Sequence, residues 1–323
     1  MSRDPHAPRK PTRARVALQL GGFAIGCALV AWCVQRAFTS GSDGLDKLRN
    51  ADPTLVGLLL GSTLVSIVCS GFTFLALARP IRRFSAVEMQ AVNLMASLFN
   101  YAPVRLGLAL RCAFHWRVER MPAGDIAAWI AGVGIVTLGT IGSALSAGLV
   151  QIGLGRSALS LDLVWFATFG GCMVVGTLVT LQAGRIALLR KLLKGGERVL
   201  SSPRALSEGL AFRVLDLSMW GVRMWAAARI VGVELSAAQA VLLAAVAVLG
   251  AGNPLGRIGW REALVAFIAP HLMDPAISAD EREALTSQMA LLESAGEAAL
   301  TIPLGILGAA WCLRAMKRVP SAR

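Results

Sequence analysis

The chain has 323 residues (34.0 kDa); 55% are hydrophobic, only 16% are charged, and the mean hydropathy is +0.63. Soluble domains carry about 25% charged residues, so a soluble enzyme, a disulfide scaffold and a disordered tail are all disfavoured. A net charge of +13 suggests nucleic acid in a soluble protein. Here the Lys and Arg residues fall in clumps between long apolar runs, the pattern of a multi-pass membrane protein, and no nucleic-acid partner is expected.

In chain order, a basic tail over residues 1–15 precedes the apolar run Val16–Val34. No small-residue cleavage site follows, and the run is expected to be an uncleaved anchor. Further membrane spans are predicted at Thr54–Ala78, Asp125–Val150, Leu163–Gln182, Leu206–Val231 and Gln288–Leu313, each near the ~20 residues that a bilayer requires. Two apolar stretches fit no simple span. Ala86–Tyr101 meets Pro103 and returns through Arg105, Arg111, His115 and Arg117. Ala237–Gly252 meets Asn253–Pro254 and returns through Arg257, Arg261 and Glu262. Pro and Gly clusters break helices, so each is predicted to be a re-entrant helical hairpin. A second basic tail covers residues 314–323, leaving one transmembrane domain over residues 16–313.

Charge sets the expected topology. With both hairpins returning to the side they enter from, 22 of the 32 Lys and Arg residues fall on one face and only Arg36, Lys47, Arg49, Arg156 and Arg282 in the opposite loops. The acidic loop 273–287 lies on that opposite side. Positive-inside logic then places both termini in the cytoplasm and the protein in the inner (cytoplasmic) cell membrane. The fold class expected is an all-α polytopic membrane protein with six spanning helices and two re-entrant hairpins. Each half, about 16–150 and 163–313, reads as span, span, hairpin, span, which crosses three times and inverts the second half. Asn100, Pro103, Arg105 and Gly107 in one hairpin parallel Asn253, Pro254, Arg257 and Gly259 in the other. Inverted repeats with paired broken helices are how many secondary transporters build a midplane site.

At these hairpins the sequence resembles the lysylphosphatidylglycerol synthase transmembrane-region family, described as flippase-like. That family's first hairpin reads Asn-x-x-Pro-x-Arg-x-Gly-Glu-x-x-Arg, and Asn100, Pro103, Arg105, Gly107 and Arg111 occupy those places. Its second motif, a Pro, a Gly-rich turn and Gly-x-x-Glu, is matched by Pro254, Gly256, Gly259 and Glu262, after a span containing Ser218 and Trp220. Two features depart from the family: Leu108 stands in place of the hairpin Glu, and the Glu-Arg pair early in the next span is missing from 125–140. The resemblance implies a protein that moves a lipid or lipid-linked group between leaflets. No soluble aminoacyl-transfer domain follows residue 313, and that chemistry is not expected.

Ionisable groups at membrane depth are expensive and face a cavity or a partner. Arg105 and Arg111 on the first return arm suit a lipid phosphate held by guanidinium forks beside a broken-helix N-terminus; interfacial arginines snorkelling to headgroups are the alternative. Arg257 and Arg261 are i,i+4, with Glu262 beside them. Glu293 and Glu297, also i,i+4, form one stripe on the last span and are expected to balance Arg257 and Arg261, as a structural ion pair or as proton-coupling groups. Arg213 and Asp216 suit a structural pair, while Arg223 lies deeper and is the better cavity-facing group. The partners expected are membrane lipids with an anionic headgroup, and a lipid-modifying enzyme if the protein is a non-transporting scaffold. No metal-ligand spacing, nucleophile arrangement or nucleotide loop occurs, so neither cofactor nor enzyme activity is expected.

Overall fold

The computed structural model describes residues 13–39, 47, 49–102, 106–156, 159–183, 197–252, 259–274 and 276–318. Among them there is no strand; the fold is eleven α-helices and one 3-10 turn. The helices are α1 (Arg13–Thr39), α2 (Pro53–Ala78), α3 (Ala86–Phe99), α4 (Leu106–Arg117), α5 (Ala123–Gly153), α6 (Leu163–Ala183), the short α7 (Glu197–Leu200), α8 (Pro203–Val231), α9 (Ala237–Ala251), α10 (Trp260–Ile268) and α11 (Ala279–Arg318). Every predicted span and both broken stretches coincide with helices to within a few residues, except that the last helix begins earlier.

Five helices, α1, α2, α5, α6 and α11, are long and apolar enough to cross a membrane. The chain therefore has the make-up of a multi-pass membrane protein. α8 is long enough at 29 residues, but Arg213, Asp216 and Arg223 interrupt its apolar character. Its interior charges are housed by the bundle instead of by solvent: Asp216 and Arg223 are each 1% exposed. α8 packs along α2 over much of its length and also meets α5, α9 and α11. The main core forms there, from Leu217, Met224 and Ala226–Ala228 of α8, Leu243–Ala245 of α9 and Met289 of α11.

Two pairs of short helices lie between the long ones. The 14 residues of α3 and 12 of α4 rise about 21 and 18 Å, and the 15 of α9 and 9 of α10 about 22 and 14 Å. None reaches the ~30 Å of a hydrocarbon core. Each entry is fixed by a serine cap: Ser85 accepts from the Glu88 N–H at 3.1 Å, and Ser236 forms a reciprocal capping box with Gln239. Gly305 and Gly308 let α11 approach the backbone of α3 at Leu94 and Ala91, a small-residue contact of the kind membrane helices use.

The acidic loop expected over 273–287 is largely helical. Ser278 accepts from the Glu281 N–H at 3.3 Å, α11 starts at Ala279, and Ala284–Ser287 are buried. α6 presents the opposite extreme: Trp165 is its one buried residue, and it leans chiefly on α5. Its first turn is tied down by Asp162, which accepts from the Trp165 N–H at 3.0 Å and from Gln151 at 3.0 Å and pairs with Arg156.

Candidate functional site

The largest buried polar assembly forms where α8, α10 and α11 meet. Glu293 and Glu297 project from one face of α11 because they are a turn apart. Their partners come from two other helices. Arg261 Nη2 lies 2.5 Å from Glu293 Oε2, and Arg261 Nη1 pairs with Glu297. Arg223 Nε pairs with Glu293 Oε1, and its Nη2 lies 3.4 Å from Glu297 Oε2. Arg261 and Arg223 are 2% and 1% exposed, so each is a desolvated guanidinium whose compensation comes from these carboxylates.

A second layer holds the lattice in place. Glu262 Oε2 accepts from the Gly259 N–H at 2.8 Å, which closes the first turn of α10, while Oε1 lies 3.7 Å from Arg261 Nε. Ser294 joins the two ends: it accepts from Arg261 Nη2 at 2.6 Å and donates to Glu262. The Trp220 ring lies under both cations, 4.1 Å from the Arg223 guanidinium carbon and 5.2 Å from that of Arg261. Thr63 of α2 accepts from Arg223 at 3.5 Å. One turn further along α2, Ser66 donates to Asp216, which also pairs with Arg213. Tyr101, just past the end of α3, is near enough to Arg261 to act on it electrostatically.

Sequence reasoning joined Glu293 and Glu297 to Arg257 and Arg261. The structure gives them Arg261 and Arg223, the latter from α8. Pro103, Arg105, Asn253, Pro254, Gly256 and Arg257 lie outside the described residues. Ser218 is exposed and bonds its own helix, accepting nothing from the assembly: its hydroxyl donates to Val214 O at 2.9 Å. The contributions of Trp220, Thr63, Ser294 and Tyr101 were not foreseen. A signal existed for the first two: Trp220 precedes Arg223 by one turn, and Thr63 and Ser66 are hydroxyl residues one turn apart on a largely apolar helix.

The remaining candidates fall in the first short pair. Gly107 sits where a Cβ would strike Ala96 O and the Asn100 side chain, so the Asn100 and Gly107 positions are coupled by the close approach of α4 to α3. Gly259 is the counterpart before α10. Its φ of +86° suits glycine, and a Cβ there would strike Gly26 O of α1. Arg111 is not an interfacial arginine. It is 3% exposed, donates to Asn93 Oδ1 at 2.8 Å, and lies 3.5 Å above the Phe74 ring. Its Nη1 has no hydrogen-bond partner and its guanidinium no carboxylate among the described residues.

A guanidinium that holds a carboxylate through two nitrogens presents the same fork to two oxygens of a phosphate. The lattice is thus chemically able to exchange a carboxylate for a phosphate, and Arg111 has a donor to offer without any exchange. Compared with known protein families, curated proteins and solved structures, the chain has no match.

Proposed function

We propose that the chain is a flippase-like membrane protein that binds an anionic lipid headgroup and carries it between leaflets, as the resemblance of its hairpins to the lysylphosphatidylglycerol synthase transmembrane region implies. The observation that carries this reading is the buried lattice of Arg223, Arg261, Glu262, Glu293 and Glu297, set at the start of the second helix of a short pair. In this reading α8 is a sixth span, the short pairs are re-entrant hairpins, and the halves are inverted repeats.

The packing supports that arrangement. α1 lies on α11 as α6 lies on α5; α3 lies on α2 as α9 lies on α8; α5 meets α9 as α11 meets α3. Each of these contacts thus has its counterpart when the halves are exchanged, with α2 and α8 face to face. The polar bridges support the topology. Arg36 pairs with Glu283 at 2.9 Å and Lys47 donates to Val231 O at 3.2 Å, joining segments assigned to the outer side. Arg79 and Arg204 share Glu208, and Arg82 pairs with Glu119 at 3.0 Å, joining segments assigned to the cytoplasm.

Transport in this scheme is an exchange of partners. A phosphate takes the guanidinium fork of one of Arg223 and Arg261, the other arginine keeps Glu293 and Glu297, and the reverse step releases the headgroup while acyl chains stay in the bilayer. A second reading is a non-transporting scaffold or accessory subunit of a lipid-modifying enzyme. It is favoured by the fact that Arg261 already engages three carboxylates and that Leu108 replaces the family's acid. Proteoliposomes separate the two. Lipid movement is followed with phosphatidylglycerol and phosphatidylcholine for wild type, Arg223→Lys and Arg261→Lys. Transport requires faster handling of the anionic lipid by wild type and its loss in both variants; equal handling by all three proteins leaves the scaffold.

A further inference from the structure

At the far end of α2 and α8 from the lattice lies a cavity of about 510 Å³, within the range of small-molecule sites. Arg204 and Arg223 are nineteen positions apart on α8, which separates this cavity from the lattice by about 28 Å. The two are different places.

Among the described residues, three guanidiniums line the cavity, Arg79, Arg83 and Arg204, against a single carboxylate, Glu208. Glu208 is shared by Arg79 and by Arg204, whose Nε lies 2.9 Å away. Arg83 has no carboxylate partner among the described residues, so the lining carries a surplus of two positive charges. The first turn of α8 adds to it. Ser202 and Arg204 both face the cavity, Ser202 caps the helix, and the positive end of a 29-residue helix dipole adjoins the same space. Leu75 and Phe84 supply an apolar wall.

We propose that this cavity binds a phosphate-bearing anion, supplied either by the headgroup of an anionic phospholipid or by a soluble phosphate ester. The double surplus matches a phosphate, the guanidiniums match its oxygens, and the apolar wall accommodates the carbon chain to which the phosphate is esterified. The site stands independently of the transport reading, because none of its residues belongs to the lattice.

Native mass spectrometry of the full chain in detergent tests it, with phosphatidylglycerol and phosphatidylcholine titrated separately and glycerol 3-phosphate as the soluble probe. Arg83→Gln removes the guanidinium without a carboxylate partner and is expected to weaken phosphatidylglycerol retention about tenfold. Glu208→Gln removes the carboxylate that Arg79 and Arg204 share and is expected to strengthen it about threefold. Arg314→Gln, an exposed arginine outside the cavity, serves as the control for charge alone. Retention of phosphatidylglycerol undisturbed by glycerol 3-phosphate assigns the site to lipid; displacement by glycerol 3-phosphate, with the same ranking of variants, assigns it to soluble phosphate. Equal losses in Arg83→Gln and Arg314→Gln, or retention of phosphatidylcholine equal to phosphatidylglycerol, would overturn the proposal.

Discussion

In α3–α4 the buried cation, Arg111, meets an amide and a phenyl ring; in α9–α10 the buried cation, Arg261, meets three carboxylates. The two pairs are otherwise alike in plan. Each is entered through a serine-capped helix, and its second helix starts at a glycine whose missing Cβ admits a neighbouring carbonyl. The carboxylates of the first pair stand at its mouth, where Glu88 and Glu119 lie beside Arg82; those of the second stand at its heart. A desolvated guanidinium costs several kcal/mol unless it is paired, so the two sites solve one problem differently. The second is closed by its own acids. The first keeps a donor in reserve, which is the condition for meeting an anion from outside the chain.

The largest test of that contrast is to remove an acid from the second pair. Glu293→Leu takes one carboxylate from both Arg223 and Arg261, leaving them Glu297 and, for Arg261, Glu262, and is expected to cost about 3 kcal/mol, read as thermal unfolding in detergent. A loss under 1 kcal/mol would mean the lattice is not what closes α10 against α11.

The turns come next. Gly259→Ala meets both a left-handed backbone and the Gly26 carbonyl and is expected to cost about 3 kcal/mol, whereas Gly107→Ala meets only the crowding of Ala96 and Asn100, about 2 kcal/mol. Both are measured by the same unfolding assay, and a harmless Gly107→Ala would show that α4 does not need its close approach to α3.

Arg111→Met sharpens the comparison from the other side. It leaves no carboxylate behind, and its stability loss should stay near 1 kcal/mol, the lost bond to Asn93 being offset by the desolvation no longer required. Transport of anionic lipid, if Arg111 serves it, should fall far more than stability does. Unfolding and lipid movement measured on one preparation separate the two effects.

The smallest effect is one of pH, at the start of α3 and outside the spanning helices. Burial, then the hydrogen bond and charge of Glu119, push the Glu88 carboxyl up to about 7, and Arg82 opposes the shift. A carboxyl raised in the folded state contributes stability that is complete below its unfolded value and is lost as the pH passes the folded one. Wild type should therefore weaken between about pH 4.5 and 7, by less than ~1 kcal/mol after solvent screening, and Glu88→Gln should flatten that slope. Denaturant midpoints across the range check it.

Helix limits were legible because apolar runs end where Pro, Gly and Arg cluster. The face shared by Glu293 and Glu297 was legible too, since spacing alone sets it. Their partners were not, because nothing in local sequence says that Arg223 of α8 points the same way as Arg261 of α10. The interfacial alternative for Arg111 failed for a related reason. Clustered arginines beside a membrane read as interfacial, but the face holding Arg111 also holds His115, and both are buried against Phe74, Phe84 and Trp129. The early start of α11 was readable from Ser278 and Glu281, a capping pair hidden by the acidity around it.

α6 belongs to a different physics from the rest. Its surface is apolar almost all round, and lipid tails solvate such a surface as well as leucine side chains do, so the bilayer exerts no hydrophobic drive to press it onto the bundle. It is held by its packing on α5 and by the polar knot around Asp162 at one end. The resting position of α6 is therefore a property of the solvent as much as of the chain, and an exchange of detergent for lipid will move this helix before it moves any other.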